Sequence, residues 1–117
     1  MLMIHDFQPG DFLIFQLESG YGLLRVLGVE NAGTDPIWHI AAYSDLFLDV
    51  DMADAALADP SSLTIEKPHI ALTNRAFEST QVAKMGNAPL TGEEIERANA
   101  ADPEVSDRSV RLLLGLR

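Results

Sequence analysis

The chain has 117 residues, of which 47% are hydrophobic and 22% are charged, and it contains no cysteine. This composition is typical of one globular domain and excludes a disordered chain, a disulfide framework and a cysteine-ligated zinc site. The net charge of −10 is concentrated in residues 1–60, which hold ten acidic residues and one basic residue, so direct binding to nucleic acid, which requires cationic groups, is not expected.

The first residues, MLMIHDF, contain no basic group ahead of the apolar ones, which argues against a secretory signal. The apolar runs FLIF and IAAY are far shorter than the roughly 20 residues that cross a bilayer. We therefore expect a single domain over residues 1–117, located in the cytoplasm and not bound to a membrane.

The strongest local pattern is a β-hairpin near the N-terminus. After a turn over Asp6–Asp11, which contains Pro9-Gly10, the run FLIFQLE alternates in the manner of a half-buried strand. Ser19–Gly22, with two glycines, is the predicted turn, and LLRVLGVE is the return strand. Gly28 within that strand predicts a bulge or bend.

A second turn is expected over Asn31–Pro36, followed by a third strand, PIWHIAAY. Both faces of this strand are largely apolar, which predicts a central or covered position in the sheet. Three consecutive strands with short connections indicate a meander, and closing the sheet into a small barrel would remove its exposed edges. The predicted fold class is mainly β (β-rich α+β), a small, partly open β-barrel over residues 3–84 with one or two appended helices.

Residues 45–59 form an acidic segment with five aspartates. A helical turn is expected over Asp51–Ala58, ended by Asp59-Pro60. The pattern of a calcium loop fails, because Ala53 stands at the third ligand position and Asp54 replaces the glycine. A solvated acidic segment is therefore the interpretation, without a metal.

Two further strand segments, Ser62–Lys67 and His69–Leu72, are predicted on either side of Pro68, and a strand is favoured for Ser79–Lys84. The three histidines of the chain, at positions 5, 39 and 69, lie on predicted strands but show no close-pair spacing of the kind found in zinc sites. We expect each of them to be a hydrogen-bonded strand residue.

The clearest helix start is Thr91, which forms a capping box with Glu94 and predicts a helix over 91–100. The apolar segment 105–117 is ambiguous between helix and strand. The alternation of four apolar residues favours a strand slightly; they are Val110, Leu112, Leu114 and Leu116.

No nucleophile elbow, phosphate-binding glycine loop or marked catalytic carboxylate is present, and we expect neither a catalytic residue nor a cofactor. The leading hypothesis is a non-enzymatic protein-binding module whose acidic half faces a basic protein partner. The candidate binding residues are two aromatic residues and four aspartates: Tyr21, Trp38, Asp45, Asp49, Asp51 and Asp54.

Two alternatives stay open at this point. One is a small enzyme or ligand-binding protein that uses the carboxylates of the acidic segment 45–59. The other is a structural or regulatory subunit that forms a homo-oligomer through the apolar tail LLLGL.

The segment PGDFLIFQLESGYGLLRVLGVE resembles the opening of a family of small bacterial immunity proteins of polymorphic toxin systems. The resemblance rests on Gly10-Asp11 before an apolar strand, the Gly20-Tyr21-Gly22 turn, and a return strand with Arg25 as its single basic residue. It covers about the first third of the chain. It implies an SH3-like β-barrel that binds and blocks a toxin without catalysis.

Overall fold

The computed structural model describes residues 7–32 and 35–115, with the backbone alone for Ala32. Within these ranges one six-stranded sheet, in the order β5-β1-β2-β3-β4-β6, carries helices on both faces. The strands are β1 (Asp11–Leu17), β2 (Gly20–Ala32), β3 (Asp35–Phe47), β4 (Ile65–Thr73), β5 (Ala83–Asn87) and β6 (Val105–Ser106). The helices are α1 (Val50–Ala56), α2 (Asn74–Thr80), α3 (Gly92–Ala100) and α4 (Val110–Leu113), with a 3₁₀ turn at Pro60–Ser62.

The predicted hairpin is confirmed as β1 and β2, but its turn lies earlier than expected. Leu17 pairs with Gly20, so the loop is Glu18-Ser19 and both glycines belong to β2. They are needed for close approach: a Cβ at Gly22 would lie 2.5 Å from the Phe15 ring. The turn at Pro9-Gly10 is also confirmed, with Gly10 at a φ of +93°.

The bulge predicted at Gly28 is confirmed by a register shift between Val26 and Gly28 against β3. The turn expected over Asn31–Pro36 is shorter in the structure, because Asn31 pairs with Pro36 across the two strands; residues 33–34 lie outside the described residues. β3 is an inner strand with both faces covered, as its sequence predicted.

Pro68 does not divide the next strand in two. β4 runs through it, and the pairing with β3 shifts register on both sides of Ala42, which pairs with Lys67. The sheet stays open, because β5 and β6 form its two edges. The β-rich fold class is thus confirmed as an open six-stranded sheet, with four short α-helices where one or two were expected.

The first face of the sheet, under α2 and α4, holds the larger apolar core. Trp38 stacks on Phe77 of α2 with ring centroids 4.1 Å apart, and the indole N–H donates to Asn74 Oδ1 at 2.9 Å. Arg111 of α4 donates to the Gln16 carbonyl. The second face, under α1 and α3, holds a smaller core; its buried apolar residues are Phe12, Ile14, Leu23, Tyr43 and Ala53.

The prediction of a strand over Ser79–Lys84 was wrong. Ser79 and Thr80 end α2, and β5 begins only at Ala83. Thr73 caps α2 by accepting from the Ala76 N–H, and burial of Phe77 and Thr80 on one helical face outweighs the local preference for a strand.

The tail also forms a helix where alternation favoured a strand. Ser109 caps α4, and Val110, Leu113 and Leu114 pack on the first core at helical spacing. Leu112 is left exposed. Leu116, the last residue of the expected alternation, lies outside the described residues.

The two helix predictions were confirmed. α1 begins after Asp49, whose carboxylate accepts from the Met52 N–H, and α3 begins after Thr91 with the full capping box. In the described part of the chain, no helix is long and apolar enough to cross a membrane.

Candidate functional site

An apolar and acidic surface follows directly on β3. Four large apolar side chains within seven residues are exposed to solvent: Leu46, Leu48, Val50 and Met52. Leu48 is the most exposed of them, at 77%. α1 presents only Ala53 to the core as a buried residue, so Val50 and Met52 are left at the surface. We call residues 46–54 the 46–54 surface.

The aspartates around this surface have two different roles. Asp45 accepts a hydrogen bond from the Thr64 N–H at 2.6 Å, and Asp49 caps α1, so both stabilise the local backbone. Asp51 and Asp54 are exposed and make no hydrogen bond or ion pair with any described residue. Their charges are therefore available to a partner.

The two aromatic candidates lie in different places. Tyr21 is half-buried at the second position of β2, where it pairs with Phe47 of β3, so it lies beside the 46–54 surface. Trp38 is 3% exposed and belongs to the first core. The structure brings Tyr21 and the four aspartates to one end of the sheet and separates Trp38 from them.

The second face of the sheet carries a buried ion pair. Arg25, 2% exposed, donates through Nε and Nη2 to the two oxygens of Glu94 at 2.9 and 3.0 Å. Its guanidinium also donates to the carbonyls of Gly10 and Pro89 and lies 4.1 Å from the centre of the Phe12 ring. This bidentate pair attaches α3 to the sheet.

Burial by itself would raise the pKa of Glu94. The hydrogen bonds from Arg25 and from the Thr91 N–H outweigh that effect and hold the pKa below its ordinary value. Asp11, fully buried at the start of β1, shows the same balance. Burial would raise its pKa, but hydrogen bonds from Asn87, the Gln8 N–H and Lys84 lower it.

Beside the ion pair a cleft of about 530 Å³ opens between α3 and residues 59–65. Phe12, Arg25 and Tyr43 contribute to its lining from the sheet. Tyr43 is 5% exposed, and its burial raises its pKa to about 12. The phenol is therefore protonated at neutral pH.

His39 and His69 are brought together by the pairing of β3 and β4. His39 Nδ1 lies 2.7 Å from His69 Nε2, His39 Nε2 lies 3.0 Å from a Glu30 oxygen, and His69 Nδ1 lies 2.8 Å from the Ala98 carbonyl. Both are thus hydrogen-bonded strand residues, as the sequence predicted; His5 lies outside the described residues. Across residues 7–32 and 35–115, no three His, Asp or Glu side chains form a group that could hold a metal ion.

The acidic segment does not assemble a carboxylate site. None of its five aspartates is buried, and only Asp59 reaches the cleft. In the tail LLLGL, Leu113 and Leu114 contact the first core, and Leu112 is exposed. These placements do not favour either of the alternatives that the sequence left open.

The candidate residues predicted from the sequence did not include Arg25 and Tyr43, nor the four exposed apolar residues of the 46–54 surface. A signal for Arg25 was present, because a lone arginine in the apolar run LLRVL requires a buried acceptor. Tyr43 gave no such signal, because a tyrosine in an apolar strand is ordinary.

Comparison of the chain with protein-family models, curated proteins and solved structures gives no match.

Proposed function

We propose that this chain is a non-enzymatic protein-binding module and that the 46–54 surface is its contact site. The observation that carries the proposal is the exposure of Leu46, Leu48, Val50 and Met52 in one short segment. Large apolar side chains that are exposed close together in the chain are candidates for an interaction site. Apolar residues in the centre and charged residues at the rim are typical of protein interfaces.

The charges around the surface define the chemistry of the partner. Asp51 and Asp54 are exposed, and residues 26–66 contain no lysine or arginine. A second copy of the same surface would bring like charges together. The expected partner is therefore a different protein, with an apolar contact region surrounded by lysine or arginine.

Blocking of a toxin is the particular form of binding that the resemblance of the N-terminal third implies. Tyr21, which belongs to the motif of that resemblance, lies beside the 46–54 surface. We propose that the blocked protein carries the basic surface and that blocking takes place in the cytoplasm.

Selective capture tests the contact site. The wild-type chain, the patch variant Leu48→Ser/Met52→Ser and the control Val105→Ser/Leu112→Ser are used as baits in lysate of the source organism. Each double variant removes two exposed apolar residues, so all three baits should remain folded. We expect a protein that wild type and control retain and that the patch variant loses.

The recovered protein is then purified and its dissociation constant measured by calorimetry. The patch variant should bind about tenfold or more weakly. Asp51→Asn/Asp54→Asn should reduce the salt dependence, measured between about 50 and 300 mM, more than the exposed pair Glu66→Gln/Glu96→Gln. Equal capture by all three baits would contradict the proposal.

The toxin-blocking form adds a second requirement. The captured partner, expressed alone, should arrest growth, and co-expression of wild type, but not of the patch variant, should restore it. If the partner is harmless when expressed alone, toxin blocking is ruled out, whereas the proposal that the chain binds a protein partner stands.

A further inference from the structure

The hydroxyl of Tyr43 has no hydrogen-bond partner among the described residues, although the side chain is nine-tenths buried. Its ring stacks on Phe12 with centroids 6.5 Å apart, which fixes its position on the floor of the cleft. Buried hydroxyl groups are nearly always paired, because water is not there to replace the partner. An unpaired hydroxyl at a cleft is therefore a place for a ligand atom or an ordered water.

The cleft has the size and lining of a small-molecule site. Its volume of about 530 Å³ falls within the range of roughly 300–1,000 Å³ that is common for ligand pockets. Apolar residues form much of the wall: Phe12, Pro60, Leu63, Ile65, Ala88 and Pro89. A few polar groups among such walls are what orients a bound molecule.

Two donor groups of the cleft have hydrogen-bonding capacity left. The Tyr43 phenol is protonated at neutral pH because its pKa is about 12. Arg97 uses Nη1 for Glu93, which leaves Nε and Nη2 without a partner in the described part of the chain. The three carboxylates of the cleft already accept hydrogen bonds: Glu94 from Arg25, Glu93 from Arg97 and Asp59 from Ser61.

We propose that the cleft binds a small carboxylate carried on a flat apolar body. The carboxylate lies between the Tyr43 hydroxyl and the Arg97 guanidinium, and the apolar body lies against Phe12, Leu63 and Ile65. This site is separate from the 46–54 surface and does not depend on the protein partner proposed above.

The probe for the test is 2-naphthoate, with the neutral 2-naphthamide as its matched control. The probe is titrated into ¹⁵N-labelled protein and followed by amide chemical shifts. For a ligand of this size a dissociation constant of about 1 mM is expected. The shifts should fall on the residues that line the cleft, and 2-naphthamide should bind at least about threefold more weakly, because it lacks the charge that Arg97 pairs with.

Tyr43→Phe removes only the unpaired hydroxyl and should keep the fold. It should weaken 2-naphthoate about five- to tenfold, and Arg97→Gln should weaken it by a similar factor. Tyr21→Phe, a tyrosine outside the cleft, should leave the affinity unchanged.

Three results would overturn the proposal. The first is the absence of shifts in the cleft at about ten times the expected dissociation constant. The second is equal affinity of wild type, Tyr43→Phe and Arg97→Gln, which would make the Tyr43 hydroxyl a water site only. The third is binding of 2-naphthamide as tight as that of 2-naphthoate.

Discussion

The two faces of the sheet are built on different principles. On the first face, α2 and α4 cover an apolar core in which Trp38 and Phe77 stack. On the second face, α1 and α3 cover the sheet only in part, and a buried ion pair lies beside an open cleft. The first face supplies stability through close packing, and the second leaves polar groups and surface available for binding.

The difference follows from how each cover is attached. α2 is attached by apolar side chains, of which Phe77 is fully buried, so it seals the face beneath it. α3 is attached by the Arg25–Glu94 pair and by the contact of His69 with the Ala98 carbonyl, and its buried residue is the small Ala98. Directional hydrogen bonds hold a helix in place without filling the space around it, and the cleft is the result.

The largest expected effect is on the first face. Phe77→Ala leaves a cavity in a closed core and should lower the free energy of unfolding by about 3–5 kcal/mol. Leu63→Ala, at a half-buried position in the cleft wall, should cost only about 1 kcal/mol. Urea denaturation measures both, and equal losses would remove the distinction between the two faces.

The next effect concerns the ion pair. Glu94→Gln keeps a residue that can complete the capping box but leaves Arg25 charged and unpaired in the interior, at a cost of about 3 kcal/mol. Arg25→Met/Glu94→Gln should recover at least about 1 kcal/mol of that loss.

The control for the ion pair is Glu93→Gln, which breaks the exposed pair with Arg97 and should cost less than about 1 kcal/mol. If the double variant were less stable than Glu94→Gln, the buried charge would not be the cause of the loss.

Lowering the pH should destabilise the fold mainly through Glu94 on the second face and Asp11 at the start of β1. The pKa values of Glu94 and Asp11 lie below their ordinary values of 4.5 and 3.8, so the folded state favours the charged carboxylates. Their contribution to stability is complete above about pH 5 and is lost as the pH falls through the lowered folded-state values.

Denaturation at pH values between about 3 and 7 measures this loss. Glu94→Gln and Asp11→Asn should each flatten the decline below pH 5, whereas the exposed substitution Glu96→Gln should leave it unchanged. A decline as steep in both variants as in wild type would show that other groups cause it.

The smallest expected change in the free energy of unfolding comes from a substitution in the cleft. Tyr43→Phe removes a hydroxyl that makes no hydrogen bond with any described residue, and it should raise stability by up to about 1 kcal/mol. A buried tyrosine with a satisfied hydroxyl would respond in the opposite direction. A loss of more than about 1 kcal/mol, measured by urea denaturation, would reveal a partner for this hydroxyl.

Local signals predicted much of the fold. The hairpin followed from alternation and glycine, and α3 followed from the capping box of Thr91 and Glu94, because these signals act over a few residues. The turn of the hairpin was predicted too late in the sequence. Gly22 lies in β2, where its lack of a side chain leaves room for the Phe15 ring. Within the 46–54 surface, the sequence indicated Asp49, Asp51 and Asp54 but not the four exposed apolar residues.

Pairings between distant segments decided the rest. Arg25 and Glu94 stand 69 residues apart, and no local pattern joins them. The apolar residues of the tail fit both the alternation of a strand and the stripe of a helix. The first core decides between them, because it buries Val110 and leaves Leu112 exposed. α2 depended in the same way on the space that Phe77 fills.

By itself, the sequence determined the β-rich scaffold, the starts of α1 and α3, and the concentration of acidic charge before residue 60. Periodicity and capping are properties of neighbouring residues, so they can be read without a structure. The tertiary structure decided which face is sealed and which carries a cleft, and it placed Tyr43 there. These depend on which distant side chains meet, because burial and hydrogen bonding are settled when the helices pack on the sheet.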